Sequence, residues 1–414
     1  MFDPVQMDKL AGLIDGWRDE VITLQSNLVA IPALAPENDG DGEYRKAEYM
    51  QGWLQKLGLD ELREFNAPDP RVSCGYRPNI LGWLYGVDRS RTVWVLAHLD
   101  VVPAGDLEKW EGDDPFALKV IGDLLYGRGT EDNHQGLISG VLALKAFHEA
   151  GIKPPCNLGL AIVADEETSS RYGLEYLMEN HRDQFGPNDL VIVPDAGDPD
   201  GKLIEVAEKS ILWLKVSVIG EECHGSTPAF GKNATRAAAH LVVKMDALEE
   251  TFNTINPLFD PPNSTFEPTK REVNVANINT VPGKDIFYFD CRVLPEYPLA
   301  EVEKKIRALA DEVEEQFGVQ VSMEYAQRAE AAPPTPESAP VVTALIRAIE
   351  TLRGIEPSCI GIGGGTVAAV FRRAGIPAAV WSSITDTAHQ PRENSRISAT
   401  LDDAKVMVHV MLQA

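Results

Sequence analysis

The stretch TVWVLAHLD, residues 92–100, constrains the fold more than any other segment. A run of apolar residues without polar alternation is a strand buried on both faces. This one stops at His98, with Asp100 two places on. Similar runs recur in NILGWLYG, NLGLAIVADEE and DLVIVPD, with helical spacing at 134–150 and 172–181 between them. Wholly apolar strands alternating with helices predict an α/β domain with a mostly parallel sheet, helices covering both faces. In such sheets ligands gather at the carboxyl ends of the strands. Residues 4–31 and 44–58 add helix-like spacing ahead of the sheet.

From about residue 210 the texture changes. SILWLKVSVIG reads as a strand, NATRAAAHLVVKMDALEETF as a helix, and VNVANINTV and IFYFDCRVL as two strands. LAEVEKKIRALADEVEEQF is a second helix and GVQVSMEYA a last strand. The order β-α-β-β-α-β is that of a ferredoxin-like α+β sandwich. After the linker-like AAPPTPESAP the α/β texture returns: a helix at 339–353, a Gly-rich turn, a helix, the strand IPAAVWSS and a terminal helix. The reading is a catalytic domain in two parts, 1–208 and 328–414, with a smaller domain, 209–327, inserted. A chain of 414 residues is long enough for two cores.

A net charge of −25 makes nucleic acid and anionic membranes poor partners. The five cysteines are odd in number, far apart and never form CxxC, so a disulfide framework or a cysteine zinc site is not expected. Buried thiols in a reducing cytoplasm are the expectation instead. The N-terminal MFDPVQMDKL has no signal-peptide pattern, and no apolar run reaches the ~20 residues that span a bilayer.

The strand ends share a chemistry. His98 and Asp100 follow TVWVLA, Asp132 sits in LYGRGTEDNHQG, Glu166 and Glu167 close NLGLAIVADEE, Asp195 closes DLVIVPD, and His389 lies beyond AVWSS. Any one of these has a bland explanation, since a strand-end aspartate is often only a helix cap. Their coincidence points to metal. Imidazole and carboxylate suit zinc and its neighbours, and two divalent ions ~3.5–4 Å apart can share a bridging carboxylate and a bridging hydroxide. The adjacent Glu166 and Glu167 can divide the work, one on metal and one carrying the proton.

The segments AHLDVVP, YGRGTEDNHQG, DEE, VPD, CHGSTPAFGKNA and TDTAHQPRE resemble those of the dinuclear-zinc amidohydrolase and exopeptidase family. That family includes aminoacylases, succinyl-diaminopimelate desuccinylases, acetylornithine deacetylases and glutamate carboxypeptidases. The resemblance runs from about residue 20 to the C-terminus. It implies a zinc-exopeptidase-like domain binding two divalent ions, zinc or else cobalt or manganese, and a lid that forms a homodimer. By the same resemblance His98 and Asp195 would hold one ion and His389 and Glu167 the other, with Asp132 bridging. Glu166 would be the general base, and Asp100 would accept the second ring proton of His98. The implied activity is hydrolysis of an amide bond in an N-acyl amino acid or short peptide bearing a free carboxylate.

Further positions follow from the resemblance. His224 would steady the oxyanion, the alternative being a packed loop histidine. Arg292 would bind the substrate carboxylate, the alternative being a salt bridge to Asp290 or Glu296. Asn279 and the loop glycines Gly364 and Gly365 would add substrate contacts. There are departures too. Asn133-His134-Gln135-Gly136 is one residue longer than the family's usual pattern, and His134 is read as an N-terminal helix residue outside the metal site. Val367 stands where an aspartate often follows Gly-Gly-Thr, and Asp195 stands where desuccinylases tend to have glutamate. The competing readings are a metal-free binding protein on the same fold and a nucleotide-binding enzyme using GIGGGT, which lacks the Lys-Ser/Thr of a phosphate loop.

Overall fold

The computed structural model describes residues 3–414. The chain divides into two compact units. The first takes the chain up to Val206 with Pro334–Cys359 and Thr366–Ala414; the second takes Ala207–Pro333 with the short return Ile360–Gly365. The main strands are β1 (Glu61–Pro68), β2 (Tyr76–Leu84), β3 (Asp88–His98), β4 (Cys156–Val163), β5 (Leu190–Gly197), β6 (Leu203–Glu208), β7 (Ser210–Ile219), β8 (Thr265–Arg271), β9 (Lys284–Val293), β10 (Gln320–Ala329), β11 (Ser358–Ile362) and β12 (Ala378–Ser382).

Eight strands form the large sheet, in the order β1-β2-β4-β3-β5-β12-β6-β11. Its centre, β4-β3-β5-β12, is parallel. The β1-β2, β2-β4 and β12-β6 pairs are antiparallel, so the sheet is mixed. The absence of alternation in β3 has a direct cause, because helices cover both faces. Trp94 and Leu96 are buried with Leu174, Leu177 and Phe371 from the helices Leu174–Asn180 and Ala368–Arg373. On the other face the helix Gly136–Ala150 comes so close that a Cβ on Gly140 would stand 2.7 Å from Val95 Cγ1. Each such side chain contributes ~1.5–3 kcal/mol by leaving water.

The second unit is a four-stranded antiparallel sheet, β8-β9-β7-β10, with the helices Ala234–Met245 and Leu299–Phe317. In the longer helix Leu299, Val302, Ile306, Leu309, Ala310 and Val313 are buried, the three-and-four spacing of one apolar face. Chain order is the expected β-α-β-β-α-β, but one strand is elsewhere. The segment VNVANINTV is not the second strand: Val273 and Ile278 are fully exposed, and only Thr280–Val281 pairs, with Cys223–His224. The strand is β8, TFEPTKR, whose pairing slips between Pro268 and Lys270. A proline without an N–H is tolerated there because β8 lies at the sheet edge.

All five cysteines are free thiols, but only Cys156 and Cys291 are buried; Cys74, Cys223 and Cys359 are half-buried. The expectation of uniformly buried thiols is therefore corrected. Among the described residues no helix is long and apolar enough to cross a membrane.

Candidate metal centre

The four parallel strands end along one edge of the sheet, and the candidate residues follow from that. His98 is the last residue of β3, Glu166 and Glu167 follow β4, Asp195 lies near the end of β5, and His389 lies in the loop after β12. Asp132 comes from the wound turn Thr130–Gln135, just ahead of the helix Gly136–Ala150. Nε2 of His98 is 2.9 Å from Asp132 Oδ1 and 3.3 Å from Asp195 Oδ1. Nε2 of His389 is 3.1 Å from Asp132 Oδ2 and 2.9 Å from Glu167 Oε2. The two oxygens of Asp132 thus face two different imidazoles. Donor atoms of His98, Asp132 and Glu167 lie within 4.8 Å of one another, as do those of His98, Glu166 and Asp195.

Neighbouring groups orient these side chains. Nδ1 of His98 bonds the main-chain carbonyl of Asp100 at 3.0 Å, while the Asp100 carboxylate stands off at 3.6 Å. The expected carboxylate–histidine bond is therefore made chiefly by the carbonyl. The Asp100 carboxylate instead accepts the N–H groups of Glu166 and Glu167. Asn133, passed over in the sequence, donates Nδ2 to Asp195 Oδ1 at 2.6 Å and to the Pro194 carbonyl at 2.7 Å. Glu393, which follows His389 closely in HQPRE, accepts the N–H groups of Gly129, Glu131 and Asp132, each at 2.9 Å.

The electrostatics are those of a crowd of carboxylates. Burial raises the proton affinity of Glu166, and Asp195, Glu167 and Asp132 add to it against the pull of His98. Glu167 is pushed up to about 7 by burial and by Asp132, opposed by His389. Hydrogen bonds to Asp132 and Glu167 carry His389 up to about 10. For His98 burial acts downward, yet the neighbouring carboxylates of Asp100, Asp132 and Asp195 outweigh it and raise the proton affinity of the ring well above the ordinary imidazole range. For Asp132 burial acts upward but the two histidines win, so it stays ionised. An imidazole proton shared between carboxylates occupies the kind of place a cation takes. Two nitrogens and several carboxylate oxygens converging on one carboxylate are a donor set that fits divalent ions of the zinc, cobalt and manganese kind.

His134 stays out of this cluster. It is buried past the kink at Asp132 and Asn133, where the wound segment Thr130–Gln135 runs into the helix, and its Nε2 lies 2.9 Å from Lys46 Nζ. Burial pulls Lys46 down to about 7, against the opposing influence of Asp100, Glu43 and Glu393. Behind it Arg77 donates Nε to Glu43 at 2.5 Å, with Nη2 on the other carboxylate oxygen. The Glu43 carboxylate also accepts the N–H of Asp165 at 3.3 Å, at the head of the turn bearing Glu166.

The remaining candidates belong to the second unit. His224 is exposed in its two-residue strand, so it is not packed; Nδ1 is 2.8 Å from Ser226 Oγ. Asn279 is exposed too, and its carbonyl accepts the N–H of Gly225 at 2.6 Å. A Cβ on Gly225 would stand 2.9 Å from that carbonyl oxygen, which explains the glycine. Arg292 is half-buried and makes the Asp290 pair, through Nε at 2.6 Å and Nη2 at 3.0 Å. It also donates Nη1 to the Gly363 carbonyl at 2.8 Å, while Glu296 instead accepts from Asn256. Gly364 is half-buried and Gly365 exposed. The loop GIGGGT is followed by a helix of only six residues, Ala368–Arg373, a short element for cradling phosphates.

Residues 94–413 match the sequence pattern of peptidase family M20/M25/M40. An uncharacterized metallohydrolase of Methanococcus maripaludis is 39% identical over 415 residues, covering 95% of this chain and 99% of that protein. A succinyl-diaminopimelate desuccinylase of Nitratiruptor sp. is 24% identical over 388 residues, covering 91% of this chain and 94% of that protein. Among solved structures, human carnosine dipeptidase 1 superimposes with a TM-score of 0.76 at 20% identity, covering 98% of both chains. Pattern and full-length relatives agree: the chain belongs to peptidase family M20/M25/M40 and is a metallohydrolase of that family.

Proposed function

We propose that this protein hydrolyses an amide bond next to a free carboxylate, in an N-acyl amino acid or a short peptide, using two divalent ions held by His98, Asp132, Asp195, Glu167 and His389. The observation that carries the reading is the Asp132 carboxylate, whose two oxygens each meet a different histidine Nε2, at 2.9 and 3.1 Å. Divalent ions bound by these donors would polarise the amide carbonyl and bring a water pKa towards ~7. Asp132 would bridge, His98 and Asp195 serving one side and His389 and Glu167 the other.

Glu166 is then the proton carrier. Its carboxylate takes a proton from the water that adds to the carbonyl and returns it to the amine nitrogen as the C–N bond breaks. The raised proton affinity of Glu166 supports that role, since a carrier must hold a proton as well as accept one. Asp100 fixes the backbone from which Glu166 and Glu167 project.

Arg292 uses Nε, one Nη1 bond and one Nη2 bond within its own unit. A guanidinium has five N–H groups, so it keeps donors for a substrate carboxylate. His224, exposed, is the proposed oxyanion donor, and Asn279, Gly364 and Gly365 the accompanying substrate contacts. The desuccinylase and dipeptidase names of two similar proteins support a small acylated or peptidic substrate. The reading includes a homodimer formed through the second unit, supported by the exposed Phe230 and Tyr325 there. A cytoplasmic location is supported by the five free thiols.

The test is to strip the protein with a chelator and reload it separately with zinc, cobalt and manganese. Metal content is measured, and N-acyl amino acids and dipeptides are offered with free or amidated C-termini. We expect about two ions per chain, turnover only after reloading and a preference for the free carboxylate. Turnover undiminished after chelation, or no stoichiometric metal, would sink the reading.

A further inference from the structure

We infer that Glu131 is a positioning residue that, together with Glu393, sets the spacing between Asp132 and His389 and thereby the affinity of the cation site His389 serves; this rests on the two-ion reading above. Glu131 is buried, and it points away from the ligand cluster into the loop that carries His389. Oε1 accepts the N–H of Thr387 at 2.8 Å and that of Ala388 at 3.2 Å. Oε2 accepts the N–H of Thr385 at 3.0 Å, the Thr387 hydroxyl at 2.9 Å and the Thr385 hydroxyl. One carboxylate therefore gathers three N–H groups, those of Thr385, Thr387 and Ala388, and two hydroxyls from the loop immediately before His389.

The arrangement is reciprocated. Glu393, just beyond His389, accepts the N–H groups of Glu131 and Asp132 on Oε1. On Oε2 it accepts the N–H of Gly129 and Nη1 of Arg128, the latter at 2.6 Å. Each turn that presents a candidate ligand is thus held by a buried carboxylate from the other turn, although the two turns lie far apart in sequence. Neither Glu131 nor Glu393 belongs to the sets of donor atoms that converge within 4.8 Å of one another.

A second observation shows that the loop needs holding. His389 has φ +62°, and so does Asp386 in the same loop, a left-handed conformation that non-glycine residues adopt only when their surroundings impose it. His389 is itself exposed and gains little from packing. The Glu131 bonds hold the backbone leading into it, alongside contacts of the Thr385 and Thr387 hydroxyls with the Asn394 main chain. If they slacken, Nε2 of His389 leaves its place 3.1 Å from Asp132 Oδ2, while His98, Asp195 and Asp132 keep theirs.

The variant Glu131→Gln keeps shape and volume but cannot keep the bonds. Both oxygens accept at least one backbone N–H, so either orientation of the amide sets a donor against a donor. The experiment is calorimetric titration of chelator-stripped full-length protein with zinc alone, with manganese electron paramagnetic resonance as a second readout. Wild type should take up two ions, and Glu131→Gln should bind the first within about threefold and the second at least about tenfold more weakly. Its manganese spectrum at two equivalents should lose the spin-coupled pair signal. Glu393→Gln, which loosens the turn bearing the shared Asp132, should weaken both ions.

If wild type binds fewer than two ions, the two-ion reading fails and this inference with it. If wild type binds two and Glu131→Gln binds both unchanged, or loses both in equal measure, the inference alone is overturned. Should Glu131→Gln not fold, Thr387→Val removes the hydroxyl that lies 2.9 Å from Glu131 Oε2 and 3.0 Å from both the carbonyl and the N–H of Asn394, and leaves the carboxylate in place. It should weaken only the second ion, by about threefold, and unchanged binding of both ions overturns the inference.

Discussion

Asp100 accepts the main-chain N–H of Glu167 at 2.9 Å on one carboxylate oxygen and that of Glu166 at 3.1 Å on the other. It is buried, and its own carbonyl bonds Nδ1 of His98. One residue just past β3 therefore orients the histidine that ends that strand and the backbone of the two glutamates after the neighbouring strand. Asp100→Asn should keep the carbonyl contact and lose the second function, because an amide cannot accept on both atoms. We expect kcat to fall by about 10–100-fold, as for other groups that orient metal ligands, with zinc still bound. Steady-state kinetics beside metal analysis decide it; wild-type kcat would remove Asp100 from the assembly.

Glu166→Gln separates proton carriage from metal binding. Glu166 is distinguished from Glu167 by geometry: Oε2 of Glu167 meets His389 at 2.9 Å, whereas Glu166 lies with His98 and Asp195. The glutamine should retain both ions and lose turnover by about 10²–10⁴-fold, the range for a removed general base. A variant that lost metal in proportion to activity would show Glu166 to be a ligand instead.

The sequence made some of this legible and hid the rest for physical reasons. His98, Asp132, Glu167, Asp195 and His389 stand out because each interrupts or follows an apolar run, and parallel strands bring such ends to one edge. Glu131 and Glu393 give no such signal. Their partners are backbone N–H groups in a distant loop, and no residue type announces an N–H acceptor. Lys46 sits in an ordinary amphipathic helix and Glu43 just ahead of its first residue, and only the structure shows them buried. In the second unit VNVANINTV alternates as a strand should yet is mostly an exposed loop, whereas TFEPTKR, with a proline and charges, is the edge strand. An edge strand needs apolar residues on one face only and tolerates a missing N–H, so its pattern is weak.

The Glu43–Arg77 pair carries a stability prediction. Both side chains are wholly buried, and Arg77 has only longer contacts, 3.6 Å each, to Asp69 and Asp165. Glu43→Ala leaves a buried guanidinium without its close partner, which typically costs ~3–5 kcal/mol. The two remaining aspartates place the expected loss near the lower end, ~3 kcal/mol, in urea unfolding of metal-free protein followed by tryptophan fluorescence. A loss within ~0.5 kcal/mol, the size of an ordinary surface change, would mean those aspartates take over the charge.

The second unit should carry an alkaline pH dependence of its own. Cys291 is buried in the core that β7, β9 and the two helices share, and burial, with Asp290 nearby, pushes its thiol up to about 12. In the unfolded chain a cysteine ionises near ~8.5. Between those values the native state holds a proton that the unfolded state has released, so stability falls as pH rises. Its contribution is fully present below the unfolded value and is gone once the folded value is passed. For this one group the slope approaches ~1.4 kcal/mol per pH unit across that window. Cys291→Ala removes the group at the cost of a small cavity, a loss that does not vary with pH. The difference in unfolding free energy between wild type and variant, measured from pH 8 to 10.5, should therefore shrink steadily and then reverse. Parallel pH profiles for the two proteins would show that the thiol ionises without unfolding this core.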